Sequence, residues 1–141
     1  MADIGPILIS MFVAIILGGI IGLERSYHGH PAGFRTHTLV CLASSLLMLV
    51  TVYAKQWFVG EIIETVRIDP TRMAQGVMTG IGFLGAGVII KEGLSVRGLT
   101  TAATIWITAA VGIVSGAGLY HVAILGTILS AAGQGRVVQR E

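Results

Sequence analysis

Charge is what this chain has least of. Acidic and basic residues together make up 11% of its 141 positions, against about 25% in an ordinary soluble domain. That is too little to coat a water-facing globule. The 7 acids and 9 bases are also too evenly balanced for a nucleic-acid binder, whose basic residues gather on one patch. Cysteine is nearly missing, and Cys41 alone excludes a disulfide scaffold and a multi-cysteine metal site. What fills the chain is apolar: 54% of residues are hydrophobic and mean hydropathy is +0.86. A soluble enzyme, a disordered tail and a coiled coil are excluded, which leaves an integral membrane protein. Strict alternation of apolar and polar residues would mark a β-barrel; Ile4 to Leu23 does not alternate, so the class expected is all-α.

The gaps between charges locate the spans. Uncharged runs reach from Ile4 to Leu23, from Thr36 to Ala54, from Met73 to Ile90 and from Gly98 to Gly135. A hydrocarbon core of about 30 Å takes roughly 20 helical residues. The first three runs hold one helix each. The last holds two if it turns at Ser115-Gly116-Ala117-Gly118, where glycines suit a tight reversal. Five transmembrane helices are expected, at about 4–23, 36–54, 71–90, 98–115 and 119–133. Met1-Ala2-Asp3 lacks the basic region of a cleaved signal peptide, so the first helix is read as retained. Asp69 before Pro70 has the form of an N-cap and N1 pair opening the third helix. Phe58, Ile62 and Val66 fit either a short helix lying on the membrane surface or a plain loop. Five spans put Arg25, Arg35, Lys91, Arg97, Arg136 and Arg140 on one side and Lys55, Arg67 and Arg72 on the other. The richer side is cytoplasmic, so the N-terminus is expected outside and the C-terminus inside.

Glycine is abundant, with 20 in the chain. Ala14, Gly18 and Gly22 recur at four-residue spacing, as do Gly76 and Gly80, and Gly112 and Gly116. In lipid, helices associate through close backbone contact, which small residues at this spacing permit. Gly18, Gly22, Gly76, Gly80, Gly82, Gly85 and Gly87 are therefore candidates for helix packing or for docking a partner's helix. Gly80-Ile81-Gly82-Phe83-Leu84-Gly85 matches a dinucleotide fingerprint literally. It lacks the preceding strand and the acid about 20 residues on, and is dismissed.

No acid lies in the middle of a span, whereas ion pathways and proton relays usually place an ionisable group at depth. Thr100, Thr101, Thr104 and Thr108 offer a polar lining for a pore, or more simply glue between helices. Glu24, Arg25, Arg35, His37 and Arg97 concentrate charge where helices meet the cytoplasm, and Glu24 has Arg35 or Arg97 as possible partners. His28, His30 and His37 do not assure the three or four converging ligands a metal needs, so no metal or cofactor is expected. There is no nucleophile with a local base, and Cys41 among apolar neighbours reads as inert packing.

Four ordered blocks carry a resemblance: Gly22-Leu23-Glu24-Arg25, Pro31 through Val40, Gly80 through Ile89, and Gly98 through Trp106. They resemble the MgtC/SapB family over about Gly18 to Tyr120. The resemblance implies a bacterial inner-membrane protein, not an enzyme, tied to growth in low magnesium and to survival inside macrophages. It implies action by binding other membrane proteins, namely the F-type ATP synthase or a P-type magnesium pump. The alternative function is a channel or transporter for Mg²⁺ or another small solute. Residues 1–135 would form the family's membrane domain, contacting the bilayer and forming a homodimer or small oligomer. Residues 136–141 would be a cytoplasmic tail, with the soluble domain of many members absent. Some members carry Asn where this chain has Thr100.

Overall fold

The computed structural model describes residues 4–56 and 68–135. It is all-helical apart from one small hairpin. The helices are α1 (Ile4–Tyr27), α2 (Phe34–Val52), α3 (Pro70–Val88), α4 (Leu99–Gly116) and α5 (Tyr120–Gly135), with a short 3₁₀ turn at Ala54–Gln56 after α2. Three of them, α1, α2 and α4, are long and apolar enough to cross a membrane, and the chain is a membrane protein. The third helix opens as expected: Pro70 stands at its first position, and the Asp69 carboxylate accepts from the Thr71 N–H at 2.9 Å. The α4–α5 turn also falls where glycine suggested it, with Gly118 at φ 79°. The 58/62/66 pattern lies outside the described residues.

Two details depart from expectation. First, α1 runs four residues past Leu23, to Tyr27, so that Glu24 and Arg25 lie within the helix rather than at its close. Second, Ile90–Glu92 (β1) and Ser95–Arg97 (β2) form an antiparallel hairpin between α3 and α4, with Lys91 opposite Val96. Its turn needs Gly93, at φ 60°, because a side chain resists that left-handed conformation. Strands of three residues each, mostly outside the apolar run that ends at Ile90, carry too little alternation to be read from the sequence.

Helix α4 is the centre of the bundle and packs on all four others. Its closest neighbour is α2, and glycine explains why. A Cβ at Gly112 would overlap the Cys41 carbonyl, and one at Gly116 would lie 2.5 Å from the Ser45 carbonyl oxygen. From α1, a Cβ at Gly18 would sit 2.5 Å from Cys41 Cβ, and one at Gly22 would sit 2.7 Å from Phe34 Cα. Thus α1 and α4, which also pack on each other, both approach α2 closely through missing side chains. One apolar cluster, including Ala14, Leu17, Ile21, Cys41, Val111 and Ala123, joins α1, α2, α4 and α5. A second, including Val40, Met48, Val77, Ile81, Ile105 and Ala109, joins α2, α3 and α4.

Helix α3 is the loosely held member. The sequence placed Gly76, Gly80, Gly82 and Gly87 with the packing glycines. A Cβ at any of these four would meet nothing within 4 Å among the described residues. The reason is geometric: α3 meets α2 and α4 through Val77, Ile81 and Gly85, and its other glycines turn away from that contact. Of the α3 glycines only Gly85 has a neighbour among the described residues, Ala102 Cβ at 3.7 Å.

Candidate functional site: a polar knot and an open helix face

The buried face of α1 advances through Ala14, Leu17, Gly18, Ile21 and Gly22, and its next member is Arg25. Arg25 is therefore carried into the bundle by helical period, and it is 2% exposed. Its Nη2 donates to Thr101 Oγ1 at 2.7 Å. Thr101 stands in the first turn of α4, and its carbonyl accepts from the Thr104 hydroxyl at 2.9 Å. Thr104 also faces His37 Nε2 at 3.4 Å. His37, fully buried, donates from Nδ1 to the Gly33 carbonyl at 2.9 Å, since a carbonyl only accepts. The Thr104 hydroxyl has one proton and two acceptors within reach, Thr101 O and, in the neutral imidazole, His37 Nε2. One chain of polar contacts thus ties the end of α1 to the start of α4 and the start of α2. Ser26 adds a tie the sequence did not disclose: its hydroxyl accepts from the Phe34 N–H at 2.8 Å. It caps α2 in place of Gly33, which has no side chain to do so.

Of the expected charged cluster, Glu24, Arg25 and His37 come together and Arg35 does not. Arg35 is exposed. Glu24 was expected to pair with Arg35 or Arg97; its Oε1 instead lies 3.1 Å from His28 Nδ1. The reason is that α1 continues through Tyr27, which puts His28 one turn beyond Glu24. Glu24 Oε2 and Arg25 Nε are buried without a hydrogen-bond partner among the described residues. Arg97 is exposed at the end of β2 and shares a cavity wall with Arg25.

The four threonines divide. Thr101, Thr104 and Thr108 are buried and Thr100 is exposed. Thr108 donates to Thr104 O at 2.7 Å, its own helix. Ser115 does likewise, to Val111 O at 2.7 Å. Across helices, Ser10 and Tyr120 hydroxyls meet at 2.9 Å, joining α1 to α5. Among the described residues, no three His, Cys, Asp or Glu side chains gather as a metal site.

The open side of α3 forms the second feature. Between α3 and α2 lies a groove of about 430 Å³, whose walls include Leu39, Leu47, Gly76, Gly80 and Leu84. On the other flank of α3, Gly82, Gly85, Ala102 and Trp106 border a hollow of about 460 Å³.

A glycine-clamped helical membrane bundle with a buried arginine–threonine–histidine knot at one end is the class this fold defines. The MgtC family model matches residues 11–135, and the chain belongs to the MgtC family. It is 42% identical over 123 residues to "Putative magnesium transporter YhiD" of Escherichia coli (strain K12), covering 87% of this chain and 56% of that protein. It is 44% identical over 119 residues to "Protein MgtC" of Brucella abortus (strain 2308), covering 84% of this chain and 46% of that one. The chain thus spans about half the length of these relatives. No solved structure matches it.

Proposed function

We propose that this chain is a regulatory protein of the bacterial inner membrane that acts by docking its α3 face against a helix of another membrane protein. The observation that carries the reading is the division among the glycines. Gly18, Gly19 and Gly22 of α1 and Gly112 and Gly116 of α4 are consumed against α2, while Gly76, Gly80, Gly82 and Gly87 have nothing within 4 Å among the described residues. Glycine costs about 1 kcal/mol per helical position relative to alanine, and four on one helix without an internal neighbour call for an external one. The partner is the F-type ATP synthase or a P-type magnesium pump, following the family resemblance. Five spans, with the N-terminus outside, belong to the same reading. A second copy of the chain, giving a homodimer or small oligomer, is the competing occupant of that face.

The test is reconstitution with the F-type ATP synthase. Wild-type chain should depress ATP-driven proton pumping, and Gly80→Leu, which fills the open face without touching the core, should relieve the depression. Pumping unaffected by the wild type, or equally depressed by Gly80→Leu, would sink the ATP synthase reading. The same comparison with the pump's ATPase activity decides the other partner.

A conductor of Mg²⁺ is the second reading, favoured by the printed name of the Escherichia coli relative. Against it stand Thr104 and Thr108 of α4, whose hydroxyls bond their own helix. Mg²⁺ uptake into proteoliposomes above the level of empty vesicles would establish it. No enzymatic step is part of either reading, because neither face assembles an acid–base pair with a nucleophile.

A further inference from the structure

We propose that the cavity where α1 ends and α4 begins is a binding site for a phosphoryl group, either the headgroup of an anionic phospholipid or free phosphate. The cavity measures about 580 Å³ and lies between the α1–α2 loop and the β2–α4 junction. Its walls include Arg25, His30, Arg97 and the start of α4 from Gly98 to Thr101.

Two independent features point to an anion. One is the open N-terminus of α4, an 18-residue helix. Its N-cap Gly98 offers no side chain, and the first intrahelical bond of the helix is Ala102 N–H to Gly98 O at 2.9 Å. The amides of Leu99, Thr100 and Thr101 precede that bond and have no helical acceptor. Such unsatisfied amides, with the helix dipole behind them, favour negative charge. Gly98 cannot be replaced by a capping residue, because its φ is 87° and a Cβ there would overlap the Val88 carbonyl. The other feature is Arg25. It is 2% exposed and lines the cavity, and Thr101 receives only one of its donors. Its Nε is buried with no hydrogen-bond partner among the described residues. A buried guanidinium at a cavity wall, with donors beyond the one that Thr101 takes, favours an acceptor oxygen in that cavity.

Arg97 adds a second, exposed cation at the rim. No acid is among the residues lining the cavity; Glu24, next to Arg25 in the chain, lies off its wall, with one oxygen beside His28 and the other buried without a hydrogen-bond partner among the described residues. A tetrahedral phosphoryl group suits this wall better than a carboxylate. It presents oxygens on several sides, enough for the arginine fork and the α4 amides together. The position at an end of the bundle also places the site at headgroup level when α1 and α4 span a bilayer.

The purified full-length chain in dodecyl maltoside is titrated with inorganic phosphate, with potassium chloride holding ionic strength constant. In parallel, native mass spectrometry counts lipids retained from vesicles of phosphatidylcholine with or without phosphatidylglycerol. Saturable binding of one probe is expected, weakened about tenfold by Arg97→Gln. Binding of phosphate identifies a free-anion site; selective retention of phosphatidylglycerol without phosphate binding identifies a lipid site. Arg25→Lys, which keeps the charge and loses the fork, should weaken the same probe. If that variant fails to fold, Arg97→Gln decides alone, since its side chain is exposed. The proposal is overturned if phosphate does not bind and phosphatidylglycerol is retained no better than phosphatidylcholine, or if Arg97→Gln binds as the wild type does.

Discussion

Arg25 is a charge that a reading by composition assigns to the water interface and that the helix carries inward. The period explains it: Arg25 falls three residues after Gly22 and four after Ile21, on the face already buried. Thr101 is then the residue on which its burial depends. Thr101→Val removes the acceptor of Arg25 Nη2 and should cost about 1.5–3 kcal/mol, the worth of a hydrogen bond to a charged group. Thr101→Ser should restore most of it. Thermal unfolding in detergent compares the two, and equal melting temperatures would exclude a stabilising role for this bond. Glycines make the opposite kind of residue-scale contrast. Gly112→Ala drives a methyl into the Cys41 carbonyl and to 2.8 Å from Ser44 Cβ, and overpacking of this kind costs about 1–3 kcal/mol. Gly80→Ala meets open space and should stabilise α3 by up to about 1 kcal/mol through helix propensity. Shifts of the same sign in unfolding would contradict this division.

At the scale of the element, α3 is the helix whose start is written most plainly and whose surroundings are written least. Asp69 caps it: the carboxylate accepts from the Thr71 hydroxyl at 2.6 Å and from the Thr71 N–H. The Thr71 hydroxyl, first, and then its amide hold the Asp69 carboxyl below its ordinary value. A depressed value means the cap is fully present at neutral pH. It is lost as pH falls through the folded value, itself below the ordinary carboxylate value of about 3.9. Protection factors for the amides of Thr71 and Arg72 should therefore fall only in that acid range. Asp69→Ala should lower protection already at pH 7 and abolish the acid step; an acid step persisting in the variant would assign it to another group. The hairpin between α3 and α4 is the converse case. Its strands are three residues each, too short to show a period, yet Gly93 and Gly98, both at positive φ, are the local signal that the chain reverses there.

For the whole molecule, the helices alternate in direction. The ends of α1 and α3 and the starts of α2 and α4 lie together, as the contacts of Gly22 with Phe34, Arg25 with Thr101 and Gly98 with Val88 require. That arrangement supports the excess of arginine and lysine at this end as the cytoplasmic side. Single cysteines placed in a Cys41→Ser background test it. Arg97→Cys should react with a membrane-impermeant maleimide only after the cell membrane is opened. Lys55→Cys, at the opposite end of α2 and exposed, should react in intact cells. Labelling of both from one side would refute five spans in this orientation.

The class of the molecule, the approximate places of its helices, the cap at Asp69 and the reversal before Tyr120 were all determined by the sequence alone. Each follows from composition, from charge spacing or from a local turn preference, and none needs a distant neighbour. Which glycines are occupied, the inward fate of Arg25, its bond to Thr101 and the partner of Glu24 were decided only by the tertiary structure. Those depend on how helices far apart in the chain turn toward one another. The same four-residue spacing marks Gly112 and Gly80, and only the presence of α2 against one and of open space beside the other tells a core contact from a free face.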